Sequence, residues 1–212
     1  NKYCDDIGGW KLPTVLSNKL ISIPDLSIYP NQSYAEMESS EVEWDPRCSS
    51  ILYLGKDNKF YKSTNNGASF TALFTATDAG AKIMQFEISR NNPNVMYVVQ
   101  RDNTSGKIWK STNGGNNWSA LSAIPGASDD ERQYMAITMS ATDDNVLWVG
   151  LKDGSSANKV FRSTDGGASW LNLTTPTIGS LHILSIMHQM GTNGGVYVGG
   201  TNGKIYYRNN NL

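Results

Sequence analysis

Three observations predict an all-β chain built as a β-propeller, with four-stranded antiparallel blades set around an axis. A twelve-residue segment recurs three times: Lys59-Phe-Tyr-Lys-Ser-Thr-Asn-Asn-Gly-Ala-Ser-Phe70, Lys107-Ile-Trp-Lys-Ser-Thr-Asn-Gly-Gly-Asn-Asn-Trp118 and Lys159-Val-Phe-Arg-Ser-Thr-Asp-Gly-Gly-Ala-Ser-Trp170. A decayed fourth copy starts at Lys204, so the period is about 50 residues, the size of a propeller blade or a solenoid unit. The same series of short strand-like runs surrounds each copy, and no stretch carries amphipathic periodicity over three helical turns.

Taken along the chain, each unit offers four strands. The first are Glu41-Val-Glu-Trp44, Ile83-Met-Gln-Phe-Glu-Ile88, Met135-Ala-Ile-Thr-Met139 and His182-Ile-Leu-Ser-Ile-Met187. The second are Ile51-Leu-Tyr-Leu54, Val95-Met-Tyr-Val-Val99, Val146-Leu-Trp-Val149 and Val196-Tyr-Val198, β-branched and aromatic runs set off by polar turns such as Asn91-Asn-Pro-Asn94. The repeated segment supplies the third strand and a turn, and Phe70-Thr-Ala-Leu73, Trp118-Ser-Ala-Leu121 and Trp170-Leu-Asn-Leu173 supply the fourth. This divides one propeller domain, residues 1–212, into blades at 36–80, 81–128 and 129–178 and an incomplete blade at 179–212. Residues 15–35, broken by Pro24 and Pro30, read as a long connection. Gly8-Gly-Trp-Lys-Leu-Pro13 looks like the end of a repeat followed by an outer strand, so residues 1–14 belong to the outside of a blade. Either that strand completes the fourth blade and closes a small ring, or the chain is a slice of a larger ring, the expected case because both ends fall inside a blade. Association of two chains is a third route.

The turns Ser63-Thr-Asn-Asn-Gly-Ala-Ser-Phe70, Ser111-Thr-Asn-Gly-Gly-Asn-Asn-Trp118 and Ser163-Thr-Asp-Gly-Gly-Ala-Ser-Trp170 resemble the Asp-box, or BNR repeat, Ser-x-Asp-x-Gly-x-x-Trp. Sialidases, sortilin-type receptors, xyloglucan-specific hydrolases and many secreted bacterial propellers carry it. With the preceding strands, the resemblance covers most of residues 36–212; only Asp165 keeps the acid, and Asn65 and Asn113 stand in its place elsewhere. A structural role explains the box. Asn65, Asn113 and Asp165 can accept backbone N–H groups across a tight turn. Gly67, Gly115 and Gly167 supply backbone freedom. Phe70, Trp118 and Trp170 bury apolar area between units.

Composition narrows the function. The 212 residues hold 18 Lys and Arg against 19 Asp and Glu, a net charge of -1, which lacks the cation excess of a nucleic-acid binder. No apolar run reaches the length of a membrane span. Cys4 and Cys48 lack zinc-site spacing and are too few for a disulfide scaffold; one bridge or two thiols both fit. No metal or cofactor is expected. Four sequons, at Asn31, Asn103, Asn117 and Asn172, would accept glycans on a eukaryotic secretory route.

Phosphate-cradling loops, nucleophile elbows and His-Glu-x-x-His are absent, and His182 and His188 are too far apart along one strand to share a metal. The sialidase Arg-Ile-Pro motif is also missing, and no motif corresponds to the catalytic aspartates of xyloglucan hydrolases. Aligning the units on their second strands puts Glu43, Glu87 and Thr138 at equivalent channel positions, and Glu41, Gln85 and Ala136 two residues earlier. Glu41, Glu43 and Glu87 are therefore the candidate carboxylates for a glycosidase, where crowding would raise one pKa and create a general acid. Solvated channel carboxylates are the plainer reading. Asp129-Asp-Glu-Arg132, Arg101-Asp-Asn-Thr-Ser105 and Asp153-Gly-Ser-Ser-Ala157 are the longer polar loops of a binding face, while Trp44, Trp109 and Trp148 sit at strand positions that assign them to the core. The expected function is a non-catalytic, secreted or cell-surface module that binds a protein or a glycan, alone or beside other domains of a larger chain. The alternative is a glycoside hydrolase of the Asp-box propeller type.

Overall fold

A computed structural model describes residues 41–45, 47–132, 135–151, 160–173, 183–189, 195–200 and 205–208. The N-terminal outer strand, the 15–35 connection, Cys4, the 153–157 loop and His182 lie outside the described residues. The chain is all-β and forms four antiparallel sheets of propeller type. Sheet one holds β1 (Glu41–Asp45), β2 (Cys48–Lys56), β3 (Lys59–Ser63) and β4 (Thr71–Thr75). Sheet two holds β5 (Lys82–Ile88), β6 (Met96–Arg101), β7 (Gly106–Ser111) and β8 (Ser119–Ala120). Sheet three holds β9 (Met135–Met139), β10 (Leu147–Leu151), β11 (Val160–Ser163) and β12 (Leu171–Asn172). Sheet four has three described strands, β13 (Ile183–His188), β14 (Val196–Gly200) and β15 (Ile205–Arg208).

One short element departs from the sequence reading. Asp129–Arg132, read as loop, is a single helical turn, α1, in which Arg132 N–H bonds back to the Ser128 carbonyl. Two acids at its start and an arginine at its end suit the polarity of a helical turn.

The innermost strands pack side by side, β1 on β5, β5 on β9 and β9 on β13, in an open succession around the axis. Between the sheets lie three apolar layers that form the core. Tyr53 and Phe60 of sheet one meet Ile83, Phe86, Ile88, Met96 and Val98 of sheet two. Tyr97, Val99 and Ile108 of sheet two meet Ile137, Met139, Leu147 and Val149 of sheet three. Trp148 and Val160 of sheet three meet Ile183, Ile186, Val196 and Val198 of sheet four. The register makes these layers homologous. Glu43, Glu87, Thr138 and Met187 pair with Tyr53, Tyr97, Trp148 and Tyr197. Those four in turn pair with Lys62, Lys110, Arg162 and Tyr207 of the third strands. Lys62, Lys110 and Arg162 each hold their cation 5.4–5.7 Å from the ring centroid of their partner.

Each repeat turn is tied off locally. The buried hydroxyls of Ser63, Ser111 and Ser163 accept the N–H of Gly67, Gly115 and Gly167 at 2.8–2.9 Å and donate to Asn65, Asn113 and Asp165. The same Asx oxygens accept from the N–H of Ser69, Asn117 and Ser169, each at 2.9 Å. Asp165 also takes the Ser169 hydroxyl, and these donors hold its carboxyl down at about 2. At Gly115 φ is +89°, and a Cβ there would stand 2.9 Å from Leu73 of the preceding sheet, so both backbone and space require glycine. Trp118 donates to the Leu73 carbonyl and meets Phe60 edge-on at 5.9 Å, fastening this turn to the preceding sheet.

Candidate functional site

Two concave regions gather functional side chains, one on the axis and one on a loop face. The axial cavity, about 450 Å³, is lined by Glu41, Glu43, Trp44, Glu87, Arg90 and His188, among others. Strand register brings its acids together. Glu43 and Glu87 occupy equivalent places on β1 and β5, and Glu41 lies two residues before Glu43 on the same strand face. The first two sheets thus put three carboxylates at the hub. The third and fourth put Thr138 and Met187 in the equivalent row.

Glu41 does mechanical work. Its Oε2 accepts the N–H of Phe86 on the next sheet at 2.7 Å. Gln85, its counterpart on β5, accepts the N–H of Ile137 on the sheet after that at 2.9 Å. A side-chain oxygen at this position therefore latches β1 to β5 and β5 to β9, and an amide serves as well as a carboxylate. Farther round, Thr138 Oγ1 accepts the His188 N–H at 3.3 Å.

Electrostatics here are those of crowded acids. Burial pushes Glu41 up to about 7, against the pull of the Phe86 N–H and with a push from the Glu43 charge. Glu87 rises to about 8 through burial and then through the charges of Glu43 and Glu41, partly offset by the Thr138 hydroxyl and Arg90. Glu43 is raised by burial of its carboxyl among the neighbouring strands, while the charge of Arg90 draws it down. Near neutrality the cluster holds protonated carboxyls beside an acid with a cationic neighbour. That arrangement can donate a proton.

The polar loops converge elsewhere. The connections β4–β5, β6–β7 and β8–β9 emerge on the face opposite the repeat turns and enclose a depression of about 580 Å³. Ser105 donates to Asp129 at 3.2 Å and accepts from Arg132 Nε at 3.4 Å, joining the 101–105 loop to α1. Arg132 pairs with Asp129 and bonds the Ala127 carbonyl. Asp78 accepts Lys107 Nζ at 2.8 Å and Gln100 Nε2 at 2.6 Å, and these two donors lower its pKa. Burial works to raise Asp102, but the N–H groups of Thr104 and Ser105 and the Thr104 hydroxyl outweigh it and hold the carboxyl below its usual range. Each acid in the depression is thus neutralised by a cation or by a set of N–H and O–H donors. A ligand meets fixed dipoles rather than a bare charge.

The three tryptophans divide. Trp109 packs on Phe74 at 5.1 Å and donates to Gln100, and Trp148 is buried against the His188 ring at 4.7 Å. Trp44, which its strand position assigned to the core, is 55% exposed. Its counterparts Ile88, Met139 and His188 are buried under a preceding sheet, and no described sheet precedes the first. Arg90, His188, Asp78 and Lys107 were not singled out from sequence as site residues. Their signal was faint: a single charged residue or a histidine in or beside a turn. Cys48 is buried and disulfide-bonded. Among the described residues no group of three His, Cys, Asp or Glu is placed to hold a metal, and no helix is long and apolar enough to cross a membrane.

The comparisons with known proteins agree with this architecture. The family model described as Sortilin, neurotensin receptor 3 (Sortilin-Vps10) matches residues 58–180. A xyloglucanase of Hypocrea jecorina is 28% identical over 165 residues, 77% of this chain and 18% of the relative. The chain thus spans less than a fifth of that protein. Among solved structures, the GH74 xyloglucanase of Xanthomonas campestris superposes with a TM-score of 0.63 at 16% identity, over 84% of this chain and 31% of that one. YCF48 bound to a D1 peptide superposes with a TM-score of 0.53 at 13% identity, over 77% of this chain and 47% of that one.

Proposed function

The chain belongs to the Sortilin-Vps10 family, and from that premise we propose that it is a non-catalytic binding module whose loop-face depression takes a neutral polar ligand, foremost a carbohydrate chain. One observation carries the reading: the two polar loops at 101–105 and 129–132 meet in one depression whose charges are already paired. Sugar hydroxyls suit such a lining, since they donate and accept without bringing charge. The xyloglucanase relative supports a glucan as the first ligand to test. A peptide segment is the other ligand of this chemistry, and a peptide is what the YCF48 structure holds. A secreted or cell-surface setting goes with the reading, supported by the disulfide at Cys48, since such bonds persist in oxidising compartments.

Titration calorimetry with xyloglucan oligosaccharides tests the site. Binding is expected for the native chain, with affinity reduced at least about tenfold in Arg132→Ala. A panel of glycans and peptides that all leave the native chain unbound, or an Arg132→Ala variant that binds normally, overturns the proposal.

A second reading rests on the carboxylates at the hub. Glu87 as acid beside Glu43 has the make-up of a glycosidase pair. Release of reducing ends from xyloglucan, lost in both Glu87→Gln and Glu43→Gln, is its signature. Glu41 is the poorer catalytic candidate, because its oxygen is committed to the Phe86 N–H.

A further inference from the structure

Asp78 and Asp102 each leave one carboxylate oxygen unused at the loop-face depression, and we propose that these two oxygens select the hydroxyl donors of a bound sugar. The ligand class is a neutral glycan that presents free hydroxyls to both acids. This rests on the depression being a carbohydrate site and adds which of its groups choose the ligand. The depression is walled by the end of sheet two and by its connections to sheets one and three, so a sheet stands on either side of it. Its volume, about 580 Å³, lies within the range of small-molecule sites.

In Asp102 every donor goes to Oδ1: the Thr104 N–H at 2.8 Å, the Thr104 hydroxyl at 2.9 Å and the Ser105 N–H at 2.7 Å. The residue is 6% exposed, yet its Oδ2 has no hydrogen bond among the described residues. In Asp78 both donors go to Oδ2, Gln100 Nε2 at 2.6 Å and Lys107 Nζ at 2.8 Å, and Oδ1 is likewise unbonded there. Neither open oxygen belongs to the buried polar atoms left without a partner, so both reach solvent. The two acids are near enough for the charge of Asp78 to act on Asp102. The Asp78 arrangement is braced from below. Trp109 Nε1, which can only donate, gives its proton to Gln100 Oε1 at 2.8 Å. That contact turns Nε2 of the fully buried Gln100 toward Asp78 and leaves Oδ1 as its open oxygen.

These groups define what can bind. Both carboxyls are held below their usual range, so at neutral pH both open oxygens are acceptors. Lys107 spends one N–H on Asp78 and has two more to give. A ligand group touching both Asp78 and Lys107 must therefore donate to the first and accept from the second. A hydroxyl does both through one oxygen, whereas an ammonium cannot accept and a carboxylate or phosphate cannot donate. The charged side chains of the lining, three aspartates against one lysine and one arginine, leave one negative charge in excess, which also disfavours anions. Ala120, Leu121 and Ala123 add an apolar wall for the C–H face of a sugar ring.

Titration calorimetry with a xyloglucan oligosaccharide and its fully O-methylated counterpart tests this. The methyl ethers keep the acceptor oxygens and remove the O–H donors. The native chain is expected to bind the methylated form at least about tenfold more weakly. Asp78→Asn and Asp102→Asn make the complementary change in the protein. In each, the amide oxygen keeps the internal donors while the NH2 group replaces the open oxygen, turning an acceptor into a donor. Each variant is expected to keep the native circular dichroism and to bind the oligosaccharide at least about tenfold more weakly. Equal affinity for the two oligosaccharides overturns the inference. So does either variant binding as tightly as the native chain while Arg132→Ala binds weakly, which leaves the depression as the site but with other groups selecting the ligand. A native chain that binds a peptide and no oligosaccharide also overturns it, and one that binds neither removes the proposed function as well.

Discussion

The hub and the loop face hold similar numbers of acids and treat them oppositely. At the hub, Glu41, Glu43 and Glu87 face one another across the first two sheets with Arg90 as the cation named near them, and burial pushes all three upward. On the loop face, Asp78 and Asp102 are surrounded by donors and pulled downward. The difference follows from the balance of burial against donors. At the hub, burial outweighs the one N–H that Phe86 gives Glu41, whereas Asp78 takes the Lys107 and Gln100 side chains and Asp102 takes the N–H groups of Thr104 and Ser105.

The largest test of this contrast is Glu87→Gln. Its folded pKa lies above the unfolded value, so its stabilising effect is complete below pH 4.5 and is lost as pH rises through about 8. Removing the charge should raise stability at pH 9 by about 3 kcal/mol and flatten the pH dependence between these limits, as read by urea unfolding across pH. An unchanged slope would mean that Glu87 ionises freely. Next comes the latch. Glu41→Ala strips the acceptor from the Phe86 N–H and should cost about 2 kcal/mol, while Glu41→Gln, imitating Gln85, should cost almost nothing at pH 6. Equal losses in the two variants would deny the latch. The smallest effect belongs to the loop face. Asp78 is depressed, so its contribution is present above its unfolded pKa of 3.8 and fades as pH falls through the lower folded value. Because the pair with Lys107 is open to solvent, Asp78→Asn should cost only about 0.5 kcal/mol at pH 7, and less in high salt. Opposite signs of pH dependence at Glu87 and Asp78 are the sharpest form of the comparison.

Much of the fold was legible because it repeats. Ser63, Ser111 and Ser163 begin three near-identical turns, and the β-branched runs before them mark the central strands. The equivalence of Glu43, Glu87 and Thr138 could be read by aligning Tyr53, Tyr97 and Trp148, since one register determines the other. What repetition does not encode was harder to see. Trp44 looks like core because its counterparts are core, and its exposure depends on what stands beside sheet one. The pairing of Asp78 with Lys107 joins two turns that carry no shared motif, and α1 is too short to show a periodicity. Sequence therefore marked the polar loops as a binding face without showing that their charges cancel.

The turn serines have one more consequence. The serine bonds that close the corner at Ser63, Ser111 or Ser163 stay within five residues of sequence, and the backbone bonds from Asn66 to Ser50, Gly114 to Asn94 and Gly166 to Asn145 stay within one repeat, so a repeat duplicated or deleted in the gene arrives or leaves with its corner finished. The flat sides must then match a neighbour, along with the few contacts a turn makes to the preceding sheet, such as Trp118 to the Leu73 carbonyl. A lineage built this way can change its number of units by recombination at little cost in foldability, and selection on the count acts through the flanks rather than the hairpin tips.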